Sequence, residues 1–148
     1  MEIRPINSAE ARTVRLPVLR PGMSPDSAIF DRDDDPATKH FGAFDGTRLV
    51  GVATFFAEPC PLKPGPRAWR LRGMATLTDR QGQSAGRRLV ASGVGAAKAS
   101  GAELMWCNAR VIARGFYEKL GFVAVGNEFE LPVSGKHYVM IKSLKEPS

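Results

Sequence analysis

The stretch of this chain best suited to binding a charged group is residues 80–89, with the sequence RQGQSAGRRL. Gly82 and Gly86 allow the backbone to turn tightly and to approach a ligand closely. The residues that follow are typical of a helix, whose first N–H groups lack partners and carry the positive end of the helix dipole. An anion such as a phosphate is therefore the expected ligand. A short glycine-containing loop is equally often an ordinary exposed turn.

Three titratable residues, Glu128, Glu130 and His137, lie near one another in the C-terminal part of the sequence. A hairpin between their segments would bring them towards a cleft, where one of them could accept a proton. Histidine has the ordinary pKa that suits this task best. A surface histidine or a structural hydrogen bond explains each position equally well, and Glu58 is a further candidate base.

Composition limits the class of protein. The chain has 148 residues, of which 43% are hydrophobic and 24% are charged, and this suits one folded domain over residues 1–148. No apolar run is long enough to span a bilayer and the N-terminus does not resemble a secretory signal, so we expect a cytoplasmic protein without a membrane partner. Cys60 and Cys107 are far apart in sequence, and we expect core thiols, with no disulfide and no metal site. The net charge of +6 favours an anionic partner, either nucleic acid or a phosphorylated cofactor.

Helices and strands follow from local patterns. Asn7 and Glu10 predict a helix N-terminus, and the helix should end near Leu16 because Pro17 interferes. Residues 41–44 and 48–56 predict an antiparallel pair joined through Asp45 and Gly46. We interpret residues 33–35 as a solvated acidic loop, with a surface for a cationic substrate as the alternative. The proline-rich residues 58–66 are expected to form a stiff loop that could serve as a substrate wall.

The second half of the chain predicts a βαβ unit. A strand over about residues 69–76 leads through the glycine loop into a helix that Gly101 ends, and a buried strand follows over residues 103–108. A shorter helix with an apolar stripe of Ala113, Phe116, Tyr117 and Leu120 is capped by Gly121. Strands at 122–125, 128–131 and 137–141 complete the chain. The predicted fold class is α/β, with a mixed central sheet whose N-terminal strands are antiparallel and whose later part is a βαβ unit, flanked by helices.

Three segments together resemble the GNAT acetyltransferase superfamily. They are LRGMAT at residues 71–76, QGQSAG at residues 81–86, and NAR at residues 108–110 followed by GFYEKLGF at residues 115–122. The resemblance implies a GNAT-like acyl-CoA N-acyltransferase fold that transfers an acetyl group from acetyl-CoA, its co-substrate, directly to a primary amine of a small molecule, peptide or protein. It also implies a possible homodimer. Ser84 departs from the family pattern, because it stands where an inner glycine is usual and serine disfavours positive φ. Its hydroxyl could instead donate to a phosphate oxygen.

The resemblance also implies roles for individual residues. Tyr117 corresponds to the family position that protonates the leaving sulfur, although a tyrosine on an apolar stripe is ordinarily a core residue. A backbone N–H near Met74 would polarise the acetyl carbonyl, while Glu128, Glu130 and His137 remain the candidate bases. The residues expected to bind acetyl-CoA are Met74, Ala75, Thr76, Gln81, Gly82, Gln83, Ser84, Ala85, Gly86, Arg87 and Asn108.

Two other functions compete with the acetyltransferase hypothesis. A GNAT-fold module that binds acyl-CoA without catalysis would accommodate Ser84 in the loop. A basic nucleic-acid-binding domain would use the positive charge, but the aromatic residues fall at core-like spacings and form no stacking series, so we expect no nucleic-acid partner. The acceptor amine would be chosen by the loops at residues 20–36 and 58–66, whose sequence does not name it.

Overall fold

The computed structural model describes residues 1–145, whose strands form one seven-stranded sheet in the order β1-β2-β3-β4-β5-β7-β6. The strands are β1 (Glu2–Ile6), β2 (Lys39–Asp45), β3 (Arg48–Ala57), β4 (Ala68–Thr76), β5 (Leu104–Arg110), β6 (Val123–Leu131) and β7 (Gly135–Ser143). The helices are α1 (Ser8–Leu19), α2 (Ala85–Ala99) and α3 (Arg114–Lys119). Short 3₁₀ turns occupy Pro25–Ala28, Thr78–Arg80 and Val111–Ala113. Within residues 1–145, no helix is long and apolar enough to cross a membrane.

Helix α1 begins as predicted but ends later. The Glu10 N–H donates to Asn7 Oδ1 at 2.8 Å and the Asn7 N–H donates to Glu10 Oε1 at 3.1 Å, which together form a capping box. The expectation that the helix ends before Pro17 is wrong, because α1 continues to Leu19. Pro17 lies in the last turn, where its missing N–H costs one hydrogen bond, and the Arg20 N–H still donates to the Leu16 carbonyl at 3.1 Å.

The predicted hairpin and the βαβ unit are both confirmed. Strands β2 and β3 pair antiparallel around a turn at Gly46, whose φ of 63° requires the left-handed region that glycine tolerates best. Strands β4 and β5 pair in parallel, joining Ala68–Arg70 to Leu104–Trp106, with α2 as the crossover. The mixed α/β sheet expected from the sequence is thus present.

The chain divides into two compact units. The first comprises Met1–Phe56 and Leu71–Gly95, and the second comprises Ala57–Arg70 with the described residues from Ala96 onward. In the first unit, α1 buries its apolar face in a cluster of Ala11, Val14, Val52 and Ala75. In the second unit, the corresponding cluster contains Cys60, Ala68, Leu104, Trp106 and Val139. A single domain over residues 1–148 stays a prediction.

Strand β6 is longer and less regular than the sequence predicts. It runs unbroken over Val123–Leu131, where two separate segments were expected, and it pairs antiparallel with β7. The register shifts between Val125 and Phe129, so the residues between them loosen the ladder without ending the strand. In the strand order β6 lies at one edge of the sheet.

Two sequence-based expectations about burial are wrong. The apolar stripe predicted for the short helix, α3, does not form, because Phe116 is 38% exposed and within Arg114–Lys119 only Tyr117 is buried. The acidic run is not uniformly solvated either, because Asp33 is buried in an ion pair with Arg15, whereas Asp34 and Asp35 are exposed. Arg15 and Asp33 are eighteen positions apart in the chain, so no local sequence pattern predicts this ion pair.

Candidate active site

The first feature of the site is the backbone that leads into α2. Gly82 and Ser84 have φ values of 82° and 69°, and helix α2 starts at Ala85. The first bond of the helix runs from the Arg88 N–H to the Ser84 carbonyl at 3.0 Å, so the N–H groups of Ala85, Gly86 and Arg87 have no acceptor within it. No acidic residue lies in the first turn. Unpaired N–H groups at a positive dipole end fit a phosphate group.

The turn is made by different residues from those expected. Gly86 does not turn the chain, because it is the second residue of α2 and has a helical conformation. Ser84 takes the second left-handed position instead, contrary to the expectation that a side chain there would avoid positive φ. A non-glycine residue in this region costs about 1–2 kcal/mol. The loop therefore stores conformational strain at the position where it departs from the family pattern.

Some side chains around the loop form hydrogen bonds within the protein, and others are exposed. Gln81 Nε2 donates to the Thr76 carbonyl at 3.0 Å and so ties the loop to the end of β4. Arg88 donates to the Met1 carbonyl, so its guanidinium is already engaged within the protein. Gln83 and Arg87 are exposed. Of the two arginines in the first turn, Arg87 is thus the one placed to offer charge to a bound anion.

Strand β4 contains a β-bulge. The Glu58 N–H donates to the Ala68 carbonyl, and the Leu77 N–H donates to the Val50 carbonyl. Ala68 and Leu77 are nine positions apart, whereas their partners Glu58 and Val50 are eight positions apart, so β4 contains one extra residue relative to β3. Gly73, with a φ of 66°, is the one residue of β4 in the left-handed region and marks the extra position. A bulge takes one residue out of the regular ladder, so we expect a backbone N–H near residues 73–74 to be available to another acceptor. Met74 and Thr76 follow as half-buried residues, with Ala75 buried between them.

Tyr117 is the buried residue of α3. Its ring makes edge-to-face contacts with Phe116 and Phe122, at centroid distances of 5.0 Å and 5.5 Å. Burial, with a smaller contribution from the Cys107 thiol, raises the pKa of Tyr117 well above its ordinary value. The phenol is therefore neutral at physiological pH, and it can donate a hydrogen bond but cannot serve as a base.

Helix α3 lies on one defined face of the sheet. The Arg114 guanidinium stacks on the Tyr138 ring at 4.8 Å, and Lys142 Nζ donates to the Leu120 carbonyl at 2.9 Å. Tyr138 and Lys142 occupy even-numbered positions of β7, and side chains alternate between faces along a strand. His137 therefore points to the opposite face from α3 and Tyr117.

The three candidate bases are not brought together. His137 is buried, its Nδ1 lies 2.7 Å from the Gly135 carbonyl, and its ring packs near Phe129. Glu130 pairs in register with Lys136, so it faces away from His137. Glu128 is exposed and lies 3.7 Å from Lys136 Nζ in an ion pair. The hairpin expected from the sequence is present, but strand alternation separates the carboxylates from the imidazole.

Several polar residues do share the face that carries His137. Asn108 is paired in register with Val139, and it lies within β5, not at its end as the sequence suggested. Arg70 pairs in register with Trp106, stacks on its indole at 4.9 Å and bonds Glu58 Oε2 at 3.1 Å. The sequence analysis missed Arg70. The sequence pattern that could have identified Arg70 is the WRLR segment of β4, in which arginine alternates with apolar residues. This alternation places Arg70 and Arg72 on the same face of the strand.

The proline-rich loop forms one wall of a cavity of about 620 Å³ within the second unit. Glu58, Pro59, Gly65 and Pro66 contribute from the loop, and Trp69 contributes from β4. The Trp106 indole N–H donates to the Glu58 carbonyl at 2.9 Å and helps to fix the start of the loop. The cavity presents a mainly apolar lining with two charged residues, Glu58 and Arg67.

Two further classes of chemistry can be judged from the structure. Burial raises the pKa of Cys107 to about 12, so its thiol is not a ready nucleophile near neutral pH. Across residues 1–145, no group of three or more His, Cys, Asp or Glu side chains is arranged to hold a metal ion.

Comparison with known proteins shows the same fold and sequence pattern elsewhere. The model of the acetyltransferase (GNAT) family matches residues 8–122. A Bacillus subtilis (strain 168) protein described as an uncharacterized N-acetyltransferase, YitI, is 36% identical over 146 residues, covering 98% of this chain and 97% of the relative. An aminoglycoside 6'-N-acetyltransferase solved with coenzyme A aligns with a TM-score of 0.77 at 17% identity, over 100% of this chain and 99% of that chain. An acyl-CoA N-acyltransferase from Pseudomonas aeruginosa aligns with a TM-score of 0.74 at 16% identity, over 96% of this chain and 99% of that chain.

Proposed function

Because the chain belongs to the acetyltransferase (GNAT) family, we propose that it transfers an acetyl group from acetyl-CoA directly to a primary amine of a small molecule, peptide or protein. The observation that carries the choice of acetyl-CoA is the N-terminus of α2. There, the N–H groups of Ala85, Gly86 and Arg87 are unpaired within the helix, and two left-handed residues shape the loop before it. A pyrophosphate matches this arrangement in charge and in hydrogen-bonding capacity.

Binding is assigned to backbone groups more than to side chains. The loop over residues 81–84 and the first turn of α2 hold the pyrophosphate, with Arg87 adding charge and Gln81 bracing the loop against β4. The backbone of Met74, Ala75 and Thr76 holds the pantetheine arm like an added strand. Asn108 contributes a side-chain hydrogen bond.

The chemistry requires stabilisation of charge on the carbonyl oxygen. When bound, acetyl-CoA supplies a thioester whose carbonyl becomes negative as the amine attacks. The N–H group released by the bulge at Gly73 and Met74 is a fixed donor for that oxygen. A preorganised backbone donor needs no reorientation during the reaction. Removal of one comparable donor in enzymes costs about 10²–10³ in rate.

Tyr117 is assigned as the proton donor to the leaving sulfur. Its raised pKa keeps the hydroxyl protonated across the physiological range, which a donor requires. Aromatic packing against Phe116 and Phe122 fixes the ring, so the hydroxyl has little freedom to adopt other orientations. General acid catalysis of this kind contributes about 10²–10⁴ to the rate.

The acceptor amine must lose a proton before or during attack, since an amine with a pKa near 10.4 is about 99.9% protonated at pH 7. His137 is the candidate base on the face that also carries Asn108, Arg70 and Glu58. If Nδ1–H donates to the Gly135 carbonyl, the lone pair of the neutral ring is on Nε2. Glu58 is the competing base, and Glu128 and Glu130 are disfavoured by their exposure on the outer part of the hairpin.

The test is turnover with a broad panel of amines. Purified protein is incubated with acetyl-CoA and each amine, and the release of free thiol is followed together with coenzyme A binding by calorimetry. We expect thiol release that depends on at least one amine. Coenzyme A binding without turnover on any amine would support the non-catalytic acyl-CoA-binding module instead. Steeply salt-dependent DNA or RNA binding without coenzyme A affinity would favour the nucleic-acid-binding alternative.

Tyr117→Phe tests the assigned acid, and Tyr138→Phe is the matched control because Tyr138 is the only other tyrosine. Tyr117→Phe keeps the ring packing, so the fold should be retained while kcat falls by about 10²-fold or more. The dissociation constant for coenzyme A should stay the same. Equal activity in the two variants would remove Tyr117 from the mechanism.

A further inference from the structure

Arg15 is a charged residue in an unusual position. It follows Ala11 and Val14 on the inward face of α1, and its exposure is 0%. Arginine is rarely buried completely unless it is paired, because removing its charge from water is costly. The structure places the guanidinium in the interior of the first unit.

The guanidinium is fixed by several partners. Nη1 and Nη2 donate to Asp33 Oδ2 and Oδ1 at 2.6 Å and 2.9 Å, which is a bidentate ion pair. Nη1 also donates to the Ala28 carbonyl at 3.1 Å, and Nη2 donates to Thr54 Oγ1 at 2.7 Å. The Phe30 ring lies under the guanidinium at 4.3 Å. Together, these contacts fix both the position and the orientation of the planar guanidinium.

The remaining nitrogen points at the bulge of β4. Arg15 Nε is buried and, within residues 1–145, has no hydrogen-bond partner. A methyl group placed on Gly73 would lie 2.8 Å from Nε and 3.3 Å from Cζ. The guanidinium therefore packs directly on the backbone at Gly73, in a space that no side chain could share. An unpartnered buried N–H is uncommon, and here it is accompanied by tight packing on the backbone of a glycine in the left-handed region.

We propose that Arg15 is a positioning residue whose guanidinium holds the β4 bulge, so that the backbone N–H near Gly73 and Met74 keeps the geometry that stabilises the acetyl carbonyl. The inference rests on the proposed function, in which this N–H polarises the thioester carbonyl. Arg15 does not touch the substrate. It acts by restricting a backbone segment whose glycine could otherwise adopt other conformations.

Thr54 provides a milder way to disturb this support. Its hydroxyl accepts from Arg15 and lies 2.8 Å from His40 Nδ1, while His40 Nε2 lies 2.9 Å from the Asp33 carbonyl. With Nε2 protonated, the Thr54 hydroxyl donates to Nδ1, so the Thr54 hydroxyl and both ring nitrogens of His40 have partners. Thr54→Val removes the hydroxyl without changing the side-chain shape. Thr54→Ser keeps the hydroxyl and is the matched control.

The experiment compares Arg15→Lys, Thr54→Val and Thr54→Ser with the wild-type protein. Lysine keeps the charge but cannot form the fork with Asp33 or cover Gly73 with a planar group. We expect kcat to fall about 10- to 100-fold in Arg15→Lys, and by a smaller factor in Thr54→Val, with wild-type behaviour in Thr54→Ser. The dissociation constant for coenzyme A should change by less than about threefold, because the loop before α2 is not altered.

Amide hydrogen exchange over residues 71–76 supplies a readout that does not depend on turnover. Faster exchange at the hydrogen-bonded amides that flank the bulge within residues 71–76 in Arg15→Lys and Thr54→Val, with wild-type exchange in Thr54→Ser, would support the proposal. Unchanged exchange and unchanged kcat in a folded Arg15→Lys variant would overturn the proposal. If Arg15→Lys does not fold, unchanged exchange and unchanged kcat in Thr54→Val would overturn it. An inactive wild-type protein would refute the proposed function, whereas the exchange data would still decide whether Arg15 holds the bulge.

Discussion

Replacing Ser84 by glycine tests whether backbone groups alone form the anion site. Ser84 has a φ of 69°, and a side chain in the left-handed region costs about 1–2 kcal/mol. Glycine removes that cost but loses about 0.5–1 kcal/mol more conformational entropy on folding. The difference is a stabilisation of roughly 0–1.5 kcal/mol, and each 1 kcal/mol corresponds to about 2–4 °C in Tm for a chain of this length. Thermal unfolding followed by circular dichroism measures this shift.

Coenzyme A affinity decides the functional part of the same prediction. If the N–H groups of Ala85, Gly86 and Arg87 hold the pyrophosphate, Ser84→Gly should bind coenzyme A as tightly as the wild-type protein or more tightly. Ser84→Ala is the control, because it keeps the side-chain carbon and the strained backbone but removes the hydroxyl. A loss of tenfold or more in both variants, about 1.4 kcal/mol, would show that the hydroxyl is itself a ligand and would refute the reasoning.

Three further predictions concern stability and reactivity. The hydrogen bonds and charges around Asp33 outweigh its burial and hold its pKa below the ordinary value, so its contribution is complete above about pH 3.9 and is lost as pH falls further. Urea unfolding should therefore show a decline below pH 4 that is weaker in Asp33→Asn, and equal declines would contradict this. Gly93→Ala should lower the free energy of unfolding by about 1–3 kcal/mol, because the new methyl would lie 2.1 Å from the Phe55 ring, whereas Gly95→Ala, with open space around it, should stabilise the helix by about 0.5–1 kcal/mol. Cys107, with its pKa raised to about 12, should resist iodoacetamide at pH 8 in the folded protein, and rapid labelling detected by mass spectrometry would contradict its burial.

Local sequence patterns predicted most of the framework. Asn7 and Glu10 formed the expected capping box, and Asp45 and Gly46 predicted the first hairpin. The glycine loop followed by a helix predicted the crossover between β4 and β5. Each of these features depends on residues a few positions apart, where spacing alone fixes which groups can meet.

The features that the sequence did not reveal depend on distant residues or on backbone strain. Asp33 pairs with Arg15 because the fold brings them together, so the acidic run could not be divided into buried and exposed residues beforehand. Ser84 adopts a conformation that its residue type disfavours, and Gly86, which could have done so, lies in the helix. The separation of His137 from Glu130 followed from strand register, which becomes definite only when both strands are placed.

The irregular register of β6 bears on whether a strand of another molecule can pair with this edge of the sheet. An edge strand presents unpaired N–H and carbonyl groups that can recruit a strand from another molecule, and Val123, which is 56% exposed, would favour such pairing. The shift between Val125 and Phe129 interrupts the repeat that a foreign strand would need to match. Glu128 adds a charge within the interrupted stretch. We therefore expect the irregular register to make this edge a poor template for intermolecular sheet growth.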